Sequence, residues 1–293
     1  MNRSCYPIAL AVGHQTVSTW YASGLTLPVA DLNFCPWQPN PETKSQLVID
    51  SMGHRYFIDT PVDSDHITLT GSEAHHLIHV MRAEIGDQLT LFDGSGNQFS
   101  AEIQQLKKNA ADLLICEQQA IDRELPAQLT VATALPKGDR QKWLVEKLVE
   151  LGTSCLIPLV TQRSVAKPVP QALARLERSV VESSKQCGRN RLMKINAPLT
   201  VAELTEQNSP DTLCLVAHPE PSSKDVSLDR ELAKQPENDL LLAIGPEGGW
   251  ADQEIEQFTA AQWQVISLGP RILRMETAAV SLAARCVFRD PWM

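Results

Sequence analysis

The chain has 293 residues, enough for two domains with cores of their own, and its 43% apolar composition is that of a soluble globular protein. No apolar run approaches the ~20 residues a helix needs to cross a bilayer, which excludes a helical membrane span. A formal net charge of −9 argues at first against a nucleic-acid partner. The charge is segregated, however. Residues 52–122 carry 4 basic and 11 acidic side chains, residues 123–195 carry 13 and 6, and residues 196–261 carry 3 and 13. A partner senses potential over roughly 8 Å at physiological salt, so the basic stretch can hold a polyanion that the total would repel. A solvated charged face is the other reading of the same numbers. The seven cysteines, at 5, 35, 116, 155, 187, 214 and 286, include no Cys-x-x-Cys pair. That spacing argues against a disulfide framework or a zinc site and for a reducing, cytoplasmic setting.

Residues 1–51 are rich in Pro, Thr, Ser and Trp and show no sustained period; "YPIALAVG" is too short and poorly flanked for a secretory signal. A strand-like pattern begins at "MGHRYFID", which points to Met52 as the natural start and to 1–51 as an upstream or disordered extension. From 55 to about 120 the pattern is of short strands, with "LTLFDGSGNQFSAEI" reading as a hairpin by its alternation and its Asp-Gly-Ser-Gly-Asn turn. One short helix, "SEAHHLIHVMR", interrupts them. This predicts a small β-barrel-like domain over 52–122. "DRELPAQ" reads as a linker, assigned to 123–128, and from 129 to 293 strands alternate with helices. "LTVATALP" precedes a helix from Asp139 to Leu151, and "CLIPLV" precedes "PQALARLERSVVESSKQC", which stops at Gly188. Later come "TLCLVAH", "DLLLAIG", "QVISLG" and a last helix from about Met275. Such alternation predicts an α/β fold, with a parallel sheet covered by helices on both faces and its sites at the carboxyl ends of the strands.

Three loops at those ends stand out: "AHPEP", "GPEGGW" and "LGPRILRMETA". "GPEGGW" is neither GxGxxG nor followed by GK[ST], so dinucleotide and P-loop chemistry are missing. A tight strand-to-helix turn is one account of it; a bare backbone lying against a small ligand is another. The second Gly-Pro exit, with Arg271 and Arg274 beside Ile272 and Leu273 and then Glu276-Thr277 opening an Ala-rich helix, favours a pocket walled by backbone. Such a pocket suits an adenosine. A nucleotide phosphohydrolase would instead need a metal-binding carboxylate pair, and Glu247 has no evident partner. "HHLIH" sets His75 and His79 four apart but lacks the Glu of HExxH and a third ligand, so no metal is assigned.

"ALPKGDRQKWLVEKLVELG", "QRSVAKP", "KQCGRNR", "IGPEGGW" and "SLGPRILRMETAA", in that order, resemble the ribosomal RNA small subunit methyltransferase E family, SPOUT-class enzymes that methylate N3 of a uridine in 16S rRNA. The resemblance runs from about Met52 to the C-terminus. "HHLIHVMR" and "LFDGSG" match the family's PUA-like domain. The resemblance implies an RNA-binding PUA-like barrel, a SPOUT domain with a deep trefoil knot, S-adenosylmethionine as cofactor and a homodimer. It carries over Ile244, Gly245, Pro246, Gly248, Gly249, Leu268, Gly269, Ile272, Leu273 and Thr277 as cofactor-pocket residues, joined by Leu215 and His218. Three positions depart from the family pattern. Ala251 stands where an N-cap Ser is usual, which leaves that helix start to Asp252; Met275 replaces a frequent Thr; His79 replaces a basic residue.

Methylating a uracil N3 requires loss of a weakly acidic imide proton and stabilisation of the resulting anion, a task for fixed positive donors. Arg189 and Arg274 are the candidates. Glu276 is a candidate proton acceptor, with an equal claim to binding the cofactor or orienting an arginine. An arginine cannot readily serve as the base, because its pKa lies above ~12. Arg55, His76, Arg82, Lys137, Arg140, Lys142, Arg163 and Arg191 are the candidate RNA contacts, giving salt-dependent affinity with little sequence information. A catalytically silent RNA-binding protein keeping the same fold is the alternative.

Overall fold

The structure, a computed structural model, describes residues 55–207, 209–219, 228–234 and 238–288. The expected extension 1–51 and start at Met52 lie outside the described residues. All described residues belong to one compact unit, Ser45–Met293.

The N-terminal half is a five-stranded sheet built from β1 (Arg55–Phe57), β2 (His66–Thr70), β3 (Gln88–Phe92), β4 (Asn97–Leu106) and β5 (Ala110–Ala120) in the order β1-β3-β4-β5-β2. Alternation along β4 sends Phe99, Ala101 and Ile103 inward against Tyr56, Leu91 and Leu113. Two register shifts in the β4–β5 ladder, at Ser100/Ala101 and Ile103/Gln105, bend these long strands. The interrupting helix α1 (Gly71–His75) continues as a π-turn over His76–Val80. It ends at Arg82, which adopts a φ of +53°.

The second half is a parallel sheet of β6 (Leu129–Thr133), β7 (Cys155–Val160), β8 (Lys194–Ile195), β10 (Thr212–Ala217), β11 (Asp239–Ile244) and β12 (Gln264–Ile266), in the order β12-β10-β11-β6-β7-β8, with β9 (Leu199–Thr200) pairing β7. Strand parity divides its core between two faces. Leu213, Leu215, Leu240 and Leu242 face α2 (Arg140–Glu150), α3 (Pro170–Cys187) and α7 (Met275–Val287). Cys214, Val216, Leu241 and Ala243 face α4 (Val201–Thr205) and α6 (Asp252–Ala260). A further helix, α5 (Leu228–Lys234), adds Leu228 and Leu232 to the first face. Both faces are therefore covered, which is why these strands read as continuous apolar runs. The helix expected over 139–151 runs Arg140–Glu150, and its successor spans the quoted eighteen residues and stops at Gly188.

The two halves are fastened at residues 187–191, and this corrects the role given to Arg189. Its side chain is buried and ion-paired with Glu124, while its Nη1 donates to the carbonyls of Val149 and Thr153 at 3.0 Å. Every arm of that guanidinium is spent on structure, so Arg189 has no face for a substrate. Arg55 is likewise no RNA contact. It is 8% exposed, donates to the Arg189 carbonyl at 2.9 Å, to Asn190 Oδ1 and to Gln98, and lies 4.3 Å over the Phe92 ring. Burial first, then the like charge of Arg123, pulls its guanidinium down to about 10. Asn190 donates to the Ile121 carbonyl at 3.1 Å, and Lys185 pairs with Glu73 at 3.0 Å, across the same joint. His76 turns inward, its ring 5.9 Å from that of Tyr56 and its Nδ1 buried, so it too leaves the RNA-facing set. Arg191 and Arg82 stay exposed.

Among the described residues no helix is long and apolar enough to cross a membrane, and no group of three His, Cys, Asp or Glu side chains could hold a metal ion. His75 and His79 stand with ring centroids 4.8 Å apart.

Candidate functional site

The carboxyl ends of three consecutive strands, β12, β10 and β11, open onto a cavity of about 280 Å³. Its size is near the lower end of the ~300–1,000 Å³ typical of small-ligand pockets. Ten of the expected cofactor residues line it: His218 from β10, Ile244, Gly245, Pro246, Gly248 and Gly249 from the β11 exit, and Leu268, Gly269, Ile272 and Leu273 from the β12 exit. Two do not. Leu215 is wholly buried in the sheet core, one turn of the pleat below the rim, and Thr277 lies exposed on the first turn of α7, off the lining.

The sequence reading missed Ala217, Pro219, Glu247, Trp250, Met275 and Ala278, which also line the cavity together with Arg271. Most are immediate neighbours of residues that were named. Ala278 adjoins Thr277, which was named although it lies off the lining.

The glycines of the β11 loop have two employers. A Cβ on Gly245 would meet the Trp250 indole at 3.0 Å, and one on Gly248 would meet Arg163 Cβ at 3.1 Å. Both must be bare so that the protein can pack against itself. Trp250, 4% exposed, folds back under its own loop and donates from Nε1 to the Ala217 carbonyl at 2.9 Å, tying the exit of β11 to that of β10. The turn closes with the Gly249 N–H donating to Pro246 O at 2.9 Å. Backbone facing the cavity is thus a property of the whole loop rather than of each glycine.

Arg163 braces the loop from behind. Its Nη1 donates to the carbonyls of Gly248 at 3.1 Å and Trp250 at 2.9 Å, which changes its part from phosphate contact to loop support. Glu254 completes the brace: Oε1 accepts from the Gln162 N–H at 2.9 Å and Oε2 from the Ala251 N–H at 2.8 Å. The start of α6 therefore relies on Glu254 rather than on Asp252.

Arg274 is exposed at the N-cap of α7, between Leu273 and Met275 of the lining, and has no side-chain hydrogen bond or ion pair among the described residues. Glu276 is 5% exposed, and both its oxygens accept from Arg140 Nη1, at 3.2 and 3.4 Å. Arg140 Nη2 also reaches Glu247 Oε1 at 3.3 Å. Lys137 and Lys142 project from the same segment into solvent, Lys142 pairing loosely with Glu146 at 3.6 Å.

This geometry belongs to a chain with recognisable relatives. A family profile described as RNA methyltransferase domain matches residues 123–287, and one described as RNA methyltransferase PUA domain matches 69–116. The ribosomal RNA small subunit methyltransferase E of Synechocystis is 37% identical over 219 residues, 74% of this chain and 71% of its own length. That of Bacillus subtilis is 32% identical over 235 residues, 76% and 92% of the two chains. Among solved structures, the ribosomal RNA small subunit methyltransferase E of Neisseria gonorrhoeae bound to S-adenosylmethionine superposes with a TM-score of 0.72 at 28% identity, covering 80% of this chain and 96% of that one. A methyltransferase of Legionella pneumophila in complex with the same cofactor gives 0.72 at 31% identity over the same shares. Matching sequence over both halves and matching architecture lead to one conclusion: the chain belongs to the ribosomal RNA small subunit methyltransferase E family.

Proposed function

We propose that the protein transfers a methyl group from S-adenosylmethionine to N3 of a uridine in the 16S rRNA of the small ribosomal subunit, acting in the cytoplasm as a homodimer. The observation that carries this reading is the cavity walled by the two Gly-Pro strand exits, in a family whose solved members hold that cofactor. Apolar walls from Ile244, Leu268 and Leu273 suit the faces of an adenine, and the loop's peptide groups suit its edge. Once bound, the cofactor supplies a methyl on a positively charged sulfur, open to in-line displacement.

The chain's own part is positioning and electrostatics. It must hold N3 about 3–3.5 Å from the methyl carbon, which is worth several kcal/mol. Arg274, exposed at the rim, is assigned to the uracil anion. Glu276 is assigned to orienting Arg140 rather than to taking the proton, because both oxygens already accept from that guanidinium. Exposed Lys137 and Lys142 on the segment that carries Arg140, with exposed Arg82 and Arg191, are assigned to RNA phosphates. The chain divides into a PUA-like domain over 52–122, a linker over 123–128 and a SPOUT domain over 129–293, with the family's trefoil knot formed around 244–250 and 268–277. Exposed Trp143 on α2, Ile272 on the loop into α7 and Phe288 after it supply apolar surface for a second copy.

The test incubates the protein with labelled S-adenosylmethionine and either 30S subunits or naked 16S rRNA, then maps the modified base. Label at a uridine N3 supports the reading. Label in neither substrate, or at N1 or a ribose, overturns it. Cofactor uptake without transfer favours a silent RNA-binding protein. Sedimentation at twice the chain mass tests the dimer.

A further inference from the structure

The two loops that wall the cavity leave β11 and β12, which are not neighbours in the sheet; β10 lies between them. One side chain from a third strand exit spans both. Arg140, at the start of α2 after β6, holds Glu276 of the α7 start through Nη1 and Glu247 of the β11 loop through Nη2. Glu247 itself lines the cavity, and Glu276 sits between the lining residues Met275 and Ala278. We propose that Arg140 is a positioning residue for the methyl donor: it brackets the two pocket walls at a fixed separation, and its task is not to bind RNA phosphate.

The physics favours an arginine here. Its planar fork presents separate N–H groups in two directions, so one residue can hold two carboxylates on different loops. Without it, two carboxylates would lean on the same space uncompensated, one of them with its side chain only 7% exposed. The walls would then spread, and the donor would have to restore their spacing from its own binding energy. Lysine restores the charge but not the fork. The neighbouring Lys137 and Lys142 have no tie to either wall, so the segment divides its work, with lysines turned outward and the arginine inward.

The inference rests on the cavity being the donor's site, and the experiment separates the two. Calorimetric titration with S-adenosylmethionine should give Arg140→Gln a Kd about tenfold or more above wild type, with Arg140→Lys between. Adding Glu247→Gln to Arg140→Gln should recover part of the loss, since it removes one uncompensated charge. The KM for rRNA and its salt dependence should not move. An unchanged donor Kd, with a raised rRNA KM and a shallower salt slope, would make Arg140 a phosphate contact and overturn the proposal. Wild-type protein that takes up no donor would sink the functional reading as well, whereas equal binding by wild type and both variants sinks the bracket alone.

Discussion

Gly245 has no side chain because the Trp250 indole stands where one would be. A glycine-rich loop invites the inference that room was left for a ligand, and from sequence the two cases cannot be told apart. Both demand an absent Cβ, and the neighbour that fills the space is named only in three dimensions. Arg274 is the opposite case. Its position between apolar residues marked it beforehand, and the structure leaves it exposed beside the lining and, among the described residues, without a side-chain partner. Removing a fixed donor to a developing anion typically costs ~10²–10³ in kcat. Arg274→Ala should therefore lower kcat by about a hundredfold while the donor Kd moves little, as single-turnover kinetics beside calorimetry would reveal. A change confined to the donor Kd would remove Arg274 from the reacting centre.

Among the elements, periodic ones were legible and short ones were not. β7 matches "CLIPLV" residue for residue and the alternation of "NQFSAEI" falls within β4, since alternation or an unbroken apolar run needs only five or six residues to stand out. β8 and β9 have two residues each and carry no period at all. The pattern over 72–82 announced a helix, but nothing in it announced the switch to a π-turn at His76. The start of α6 shows how a missing cap is replaced. Ala251 has no hydroxyl to offer, and the buried Glu254 carboxylate instead binds two backbone N–H groups, one on its own helix and one on the loop that carries Arg163. Glu254→Ala should cost more than the ~1 kcal/mol of an ordinary cap, about 2 kcal/mol, because two donors lose their acceptor together. Urea denaturation measures this, and a loss under 0.5 kcal/mol, as an order-of-magnitude bound, would show the brace to be idle.

At the scale of the whole molecule the decisive feature is the joint at 187–191. "QCGRNR" reads as chemistry because it is basic and lies in the positive third of the chain. Its partners, Glu124, Val149 and Thr153, are 65, 40 and 36 residues away, which no local pattern can reveal. Breaking one member of a buried ion pair costs about 3–5 kcal/mol. Arg189→Met should fall in that range, and the added change Glu124→Gln should recover part of it by removing the stranded charge. Equilibrium unfolding of the single and double variants tests this, and an unaltered midpoint in Arg189→Met would dissolve the joint as described. Chain order adds a consequence. The small half's core is complete between Tyr56 and Leu113, whereas every residue lining the cavity falls between Ala217 and Ala278. Translation therefore finishes the small half first and the methyl donor's berth late. A nascent copy passes through a stage in which its first core is folded and its cavity does not yet exist.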